Sequence, residues 1–526
     1  MLVLITVILY FSVLLLLSHL VGRRGGNAAF FNGNRQSPWP LVAFGMIGAS
    51  ISGLTFIGVP GWVMSIDMTY LQMCLGFVLG YVIVAFVLLP LYYRYRLTSI
   101  YTYLAHRFGS VSYKTGSSFF MLSKLMGAAA KFYVVCRILQ MCLADSFSVP
   151  YVVIVLVALL LIWLYTRRSG IRALVWTDFL QTLCLMLALI LLLLKVSNML
   201  HMDFFEAMTT VWNDSHSRIF EFSDFTSKQH FWKQFLSGVF IVIVMTGLDQ
   251  DMMQKNLTCK DLRSAQKDMC SYGILFVPVN FLFLALGVLL LMLYQQQGVP
   301  IPEKGDDLLA GIVLDGTMGT ACLIFFTIGV IASAFSSADS AMTALTTSFC
   351  IDILGKETDE KLRKRVHLGM LLAFVVVTLA FNAIGSGSVM DLIYTLVSYT
   401  YGPLLGLFAF GMFTKWQPRE RYVPYIAIAS PLICYVIDVM VLQFTGYQFG
   451  YEMLMFNGLL TFIGLWLVSY HRNIKLYDIS HGNHVLYHTE PLARRSQITE
   501  NTESFLSKNH QFDEENCLDE SLPKPQ

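Results

Sequence analysis

Six hydroxyl residues recur at helical spacing within one apolar run. They are Ser333, Ser336, Ser337, Ser340, Thr343 and Thr347, in residues 331–352 (IASAFSSADSAMTALTTSFCID), and Asp339 sits among them. On a helix this spacing lays a stripe of hydroxyls along one side. A carboxylate inside a membrane helix is costly unless it meets a partner, an ion or water. Oxygen donors gathered near a carboxylate suit a small hard cation such as Na⁺, by analogy with the oxygen ligands of calcium and magnesium. A single Ser or Thr in such a place more often serves to glue helices together. Six along one face, with an intramembrane Asp, point to an ion site.

A second stretch, AFGMIGASISGLTFIGVPGWV, holds Gly45, Gly48, Gly53, Gly58, Pro60 and Gly61, with Ser50, Ser52 and Thr55 mid-span. Such a sequence makes a poor continuous helix. Unwound backbone is tolerated at membrane depth only where it is buried in protein or lines a cavity. In transporters such breaks expose carbonyls to ions and helix ends to solutes; the alternative is close packing through small residues. A second candidate break, VMTGLDQDMMQ, carries Gly247, Asp249 and Asp251 and opens roughly two hundred residues after the first. Interrupted helices at matching positions of two halves point to an inverted-repeat transporter.

Further charges fall within apolar spans. Asp178 lies near one end of its helix. Lys131, in GAAAKFYVV, stands beside small residues that would let a solute approach. An intramembrane Lys is expected to be functional and to have a partner; Asp339, Asp178 and an anionic group on a solute are the candidates. Lys124, on the same face, is expected to snorkel to the cytoplasmic surface, and Arg137 to the outer one.

The elements that position these residues are membrane helices. The chain has 526 residues, 56% hydrophobic and 13% charged, with mean hydropathy +0.61, a composition of polytopic membrane proteins. A span needs about 20 apolar residues. The candidates are 2–22, 39–64, 70–92, 116–143, 150–166, 171–199, 233–250, 270–295, 318–352, 367–383, 389–413, 422–444 and 452–470, about thirteen helices of an all-α polytopic membrane protein. Basic residues sort by side: alternate loops hold 22, including Lys255, and the opposite loops hold Arg218, Lys228, Lys233 and Lys304. That bias puts the N-terminus outside and the C-terminus in the cytoplasm. The aromatic connector 200–232 is read either as short helices on the membrane face or as plain linker. Residues 471–526 read as a disordered acidic cytoplasmic tail. The ten cysteines, mostly in apolar runs and without C-x-x-C, read as small buried hydrophobes. No P-loop, G-x-S-x-G, metalloprotease or dinucleotide motif is present.

Five motifs in order, IGASISGLTFIG, YLAHRFG, GIRALVWTDFLQ, GLDQDMMQKNLTCKDLRSAQ and SSADSAMTALTTSFCIDIL, resemble those of the sodium/solute symporter family, whose members include sodium-coupled galactose, proline and sialic acid carriers. The resemblance covers roughly residues 1–470. It implies a leucine-transporter-like 5+5 inverted repeat: five helices over 39–199, their inverted copy over 232–413, a peripheral helix at 1–22 and two helices at 422–470. It implies a sodium site formed by backbone carbonyls of Gly48, Ile51 and Ser333 and hydroxyls of Ser336 and Ser337. A second cation site would involve Asp178, Asp339 and Ser340 together with Ser336. The family pattern has a hydroxyl or small residue where this chain has Asp339, so the extra carboxylate could strengthen cation binding, take a proton, or pair with Lys131, and such an internal Lys–Asp pair could replace the second sodium. Solute contacts would come from Ser50, Ser52 and Thr55. Leu54 and Met245 depart from the galactose pattern. Gly127 and Ala128 stand near the place of the Arg of sialic acid carriers, with Lys131 one turn away, which turns the expectation towards an anionic organic solute such as a sugar acid.

The resulting expectation is a sodium-coupled symporter of a small solute in the cell membrane, with sodium as the coupled ion, the lipid bilayer as its setting and no nucleic-acid partner. Three alternatives stand beside it: a proton-coupled carrier using Asp339, a solute sensor signalling through the tail, and a membrane enzyme using Asp178, Asp339 and Lys131. No metal-ligand set or nucleophile–base pair supports the last.

Overall fold

The computed structural model describes residues 2–21, 26–51, 53–144, 149–167, 170–384, 389–447 and 449–470; the expected tail, 471–526, lies outside them. Nearly everything described is helix, because a membrane-embedded backbone must satisfy its own hydrogen bonds. The order begins with α1 (Leu2–Val21), α2 (Asn27–Asn32), α3 (Trp39–Ser50) and α4 (Gly53–Ile66). α5 (Tyr70–Ile83) runs through a π turn, Val84–Leu88, into α6 (Leu89–Arg94). α7 (Thr102–Arg107), α8 (Ser110–Ala144), α9 (Tyr151–Thr166) and α10 (Ile171–Met199) follow, and α11 (Phe204–Asn213) lies in the 200–232 connector. α12 (Phe231–Val242) passes through a π turn, Ile243–Gly247, and the chain restarts as α13 (Gln250–Asn256). The remainder is α14 (Leu262–Gln297), α15 (Asp306–Leu314), α16 (Thr320–Ser348, with a π turn at Phe349–Ile353), α17 (Glu360–Ile384), α18 (Val389–Phe413), α19 (Val423–Thr445) and α20 (Glu452–Leu467). A two-residue ribbon pairs β1 (Gln417–Pro418) antiparallel with β2 (Ser469–Tyr470).

Seven described helices are long and apolar enough to cross a membrane, or nine if each bent pair is one span; three more apolar helices are shorter. The apolar segments of the sequence are helical, but several helices outrun them: α14 begins at Leu262 and α17 at Glu360. Hydropathy marks the depth of the bilayer, whereas a helix continues until its caps stop it. At α14 that cap is Asp261, which accepts a hydrogen bond from Ser264 N–H at 2.8 Å. Helix α15 was not visible as a span, being short and opening with Asp306 and Asp307.

Close approach through glycine holds the bundle together. A Cβ on Gly76 of α5 would lie 2.1 Å from Phe235 O on α12, and one on Gly238 2.3 Å from Met73 O. The two glycines therefore let the backbones touch, which is how helices associate where lipid removes the hydrophobic drive. α10 packs against α3 and α16, and α16 against α8; these four helices carry most of the candidate ligands. Large apolar side chains stay exposed along α1, α5, α9 and α19, among them Leu9, Leu79, Leu156 and Leu432, as a lipid-facing surface requires.

A candidate ion and solute site between two broken helices

The first break bends the chain by 59° between Trp39–Ser50 and Thr55–Ile66. Ile51 N–H still reaches Ile47 O at 3.0 Å, but its backbone is extended (φ −81°, ψ 93°) and the helix stops. Ser52 lies outside the described residues. The second break, between Phe231–Gly247 and Gln250–Asn256, bends by 71°. Its freed carbonyls are taken internally: Tyr92 Oη donates to Gly247 O at 2.8 Å and Tyr101 Oη to Leu248 O at 2.7 Å. Asp249 caps the restart, accepting from Asp251 N–H at 2.8 Å and Met252 N–H at 3.4 Å, so a carboxylate sits at the positive end of α13.

The hydroxyl stripe of α16 lies against the first break. Ser337 Oγ donates to Ala49 O at 3.5 Å and to Ser333 O at 3.2 Å. Ser333 Oγ donates to Val330 O at 3.0 Å, and the Cβ position of Gly53 is 3.4 Å from Ser333 Oγ. Carbonyl and hydroxyl oxygens thus gather at this junction, a donor set that fits a small hard cation. Of the expected ligands, Ser333 and Ser337 meet there, and the broken-helix carbonyl that Ser337 reaches is Ala49 O, next to Gly48 in the chain. Gly48 has a packing role: a Cβ would lie 2.1 Å from Thr182 Oγ1 of α10. Ser336 turns to α10 instead. At the far end of the stripe Thr347 ties helices together, accepting from Gln254 Nε2 at 3.0 Å, and Thr346, beside the stripe, bonds His367.

The side chains expected at a second cation site already have partners within the chain. Ser336 Oγ donates to Asp178 Oδ1 at 2.6 Å, and Lys255 Nζ lies 2.8 Å from Asp178 Oδ2. Asp339 accepts from Tyr165 Oη at 2.6 Å and from Ser340 Oγ at 3.3 Å. The pairing of Lys131 with Asp178 or Asp339 is therefore corrected, since other groups hold both carboxylates. Lys255, expected in a cytoplasmic loop, is buried. Lys124 does not snorkel: its Nζ lies 3.1 Å from Asp249 Oδ2 and 2.7 Å from Asp251 Oδ2, and Tyr401 Oη donates to Asp249 at 2.7 Å. Arg137 is exposed and stacks on Tyr151 at 5.7 Å, as an outer-surface residue can.

Above these charges is a cavity of about 220 Å³. Ser123, Lys124, Gly127, Ala128 and Lys131 line one wall at helical spacing on α8; Ala49, Ser50 and Thr55 line the broken-helix wall, with Met245 on the second break. Ser50 Oγ is hydrogen-bonded to Tyr272 Oη, to which Tyr81 Oη donates at 2.6 Å. Lys131 is the charge facing this space without compensation: among the described residues no carboxylate oxygen lies within 4.0 Å of its Nζ. A second cavity of about 490 Å³ shares Trp62, Tyr70, Met73 and Tyr451 with the first and reaches Lys228 and Gln229 of the 200–232 connector. The two cavities therefore adjoin, and Lys124 with its two aspartates lines the first.

Tyr272, Tyr401 and Lys255 were not singled out from sequence. An aromatic in an apolar span carries no mark of its neighbour's hydroxyl, so Tyr272 and Tyr401 left no signal. Lys255 left one: it follows Asp251 by four residues, continuing the face of the second broken helix beyond the glycine.

A sequence profile of the sodium:solute symporter family matches residues 30–419. The human sodium/iodide cotransporter is 25% identical over 427 residues, covering 77% of this chain and 65% of the relative, so the chain spans just under two thirds of that protein's length. The sodium/sialic acid symporter SiaT of Proteus mirabilis is 24% identical over 427 residues, 77% of this chain and 83% of the relative. Among solved structures, a substrate-bound, outward-open Na⁺-coupled sialic acid symporter aligns with TM-score 0.75 at 19% identity, over 90% of this chain and 99% of its own. That likeness establishes the leucine-transporter-like fold.

Proposed function

The chain belongs to the sodium:solute symporter family, and from that premise we propose that it is a secondary active transporter coupling inward sodium flow to uptake of a small organic anion, such as a sugar acid. The protein is an integral membrane protein of a family of transporters rather than enzymes. The observation that carries the reading is the contact of Ser337 with Ala49 O, which sets the hydroxyl stripe of α16 on the broken backbone of α3. A cation held there would fix α16 against α3, beside the cavity that Lys131 faces. Sodium and solute would then raise each other's affinity, as linkage requires. The relatives named for sialic acid and the uncompensated Lys131 both support an anionic solute.

The same reading includes the two five-helix repeats over 39–199 and 232–413, thirteen crossings, an outer N-terminus and a cytoplasmic tail; the one-sided distribution of basic residues supports this orientation. The adjoining cavities, which share Trp62 and Tyr451, then open outward, and the Lys124–Asp249–Asp251 cluster closes the inner side. Alternating access requires that this cluster part when the inner side opens.

Thermal stability of the purified protein in sodium and in choline, repeated with sugars, sugar acids, amino acids and monocarboxylates, tests the proposal. A ligand at about 100 times its dissociation constant adds roughly 2.7 kcal/mol. A sodium-specific shift enlarged by one acid supports it, and the absence of any sodium shift removes it. Asp339 favours a second reading, because its described partners are hydroxyls: proton coupling, for which uptake would persist without sodium and follow a pH gradient.

A further inference from the structure

Beside the proposed sodium junction, one buried carboxylate is already matched by a charge belonging to the chain. Asp178 on α10 is 1% exposed. One oxygen accepts the hydroxyl of Ser336 at 2.6 Å, and the other lies 2.8 Å from the ammonium of Lys255. The side chain of Lys255 is 2% exposed, and it reaches across from α13, the lower half of the second broken helix. We infer that Lys255 is a tethered cation filling the position at Asp178 where a second sodium would otherwise bind, so that sodium does not bind this carboxylate. The inference rests on the sodium-transport reading and deepens it by assigning the ion count at this position.

The physical argument is one of charge and displacement. A buried carboxylate needs a positive partner or a proton, and an ammonium held on its own chain supplies one without losing free translational motion. A sodium ion entering here would have to displace Lys255 and leave an ammonium buried without this partner. The neighbouring carboxylates are otherwise engaged. Asp251 is held by Lys124 at 2.7 Å, and Asp339 takes Tyr165 and Ser340. Ser336 is thus bonded to Asp178 and Ser340 to Asp339, and the cation at Asp178 belongs to a residue whose charge does not leave with the solute. Each cycle would move one charge fewer through the membrane potential than in a carrier binding sodium at both positions.

The test counts sodium. Equilibrium binding of ²²Na⁺ to the purified full-length protein should saturate at one ion per chain. Lys255→Met exposes Asp178 to a free cation and should raise the count to two. Lys255→Met with Asp178→Asn, which removes both members of the pair, should return it to one. Two ions on the unaltered protein overturn the inference and leave the transport reading intact. A folded Lys255→Met that still binds one also overturns it. If that variant does not fold, the count on the unaltered protein decides. No saturable sodium on any of the three overturns both readings together.

Discussion

Replacing Lys131 by Met should separate recognition of charge from every other contact in the cavity. Lys124, one face-repeat away, is compensated by two aspartates at 3.1 and 2.7 Å. Lys131 lines the same cavity and, among the described residues, has no carboxylate within 4.0 Å. A solute carboxylate arriving about 3 Å from its Nζ gains roughly 5–6 kcal/mol at an effective dielectric near 20. Most of this is returned as desolvation, and a hydrogen bond to a charged group nets about 1.5–3 kcal/mol. The apparent dissociation constant of an acid should therefore rise by roughly 10- to 150-fold in Lys131→Met. The methyl ester of the same acid carries no charge, and its affinity should fall severalfold less than the acid's, because an ester oxygen accepts from the ammonium more weakly than a carboxylate does. The assay is the solute-dependent thermal shift at fixed sodium, using whichever acid of the panel stabilises the protein, beside its ester. Without solute, Lys131→Met should not destabilise the protein, because it strips no ion pair. Equal losses for acid and ester, or an unchanged acid, would refute the argument.

Three further outcomes follow from the geometry. Ser337→Ala removes a hydroxyl between Ala49 O and Ser333 O and should raise the half-saturating sodium concentration about tenfold, the equivalent of one modest contact; an unchanged value would move the ion elsewhere. Lys124→Met strands two buried carboxylates and should cost about 3–5 kcal/mol, seen as a fall in thermal stability, with at least half regained when Asp251→Asn is added. The cap of α14 should be pH dependent: hydrogen bonding from Ser264 N–H holds the exposed Asp261 carboxyl below its ordinary range. A depressed value in the folded chain means that the stabilisation is complete above the unfolded value of about 3.9. It is lost as pH falls through the folded one. Asp261→Ala should abolish that acid-side component of the melting curve and leave the curve above pH 5 parallel.

What was legible in the sequence is what depends on composition and local spacing. Apolar runs require helices because lipid offers the backbone no partner, so the spans of α9 and α10 could be read nearly residue by residue. Glycine and hydroxyl clustering marked both breaks, and helical spacing put the hydroxyls of α16 on one side. Spacing could not divide that stripe into its two uses. Ser337 reaches the broken backbone while Thr347 ties α16 to α13, and the division depends on which helices pack alongside. Nor could it assign partners to buried charges. Asp178, Asp339 and a solute anion all stood open as partners of Lys131, and the fold gives Asp178 to Lys255 and Lys124 to Asp249 and Asp251. Charges in a low-dielectric interior select partners by distance, and distances between residues remote in the chain are set by helix packing. Lys255 shows the limit most clearly: in sequence it belongs to a polar run between two spans, and the bend at Gly247–Asp249 carries it inside. The sequence alone determined a membrane bundle with two breaks and a hydroxyl-lined helix; the tertiary structure decided which charges meet, because helix packing sets the distances between residues remote in the chain.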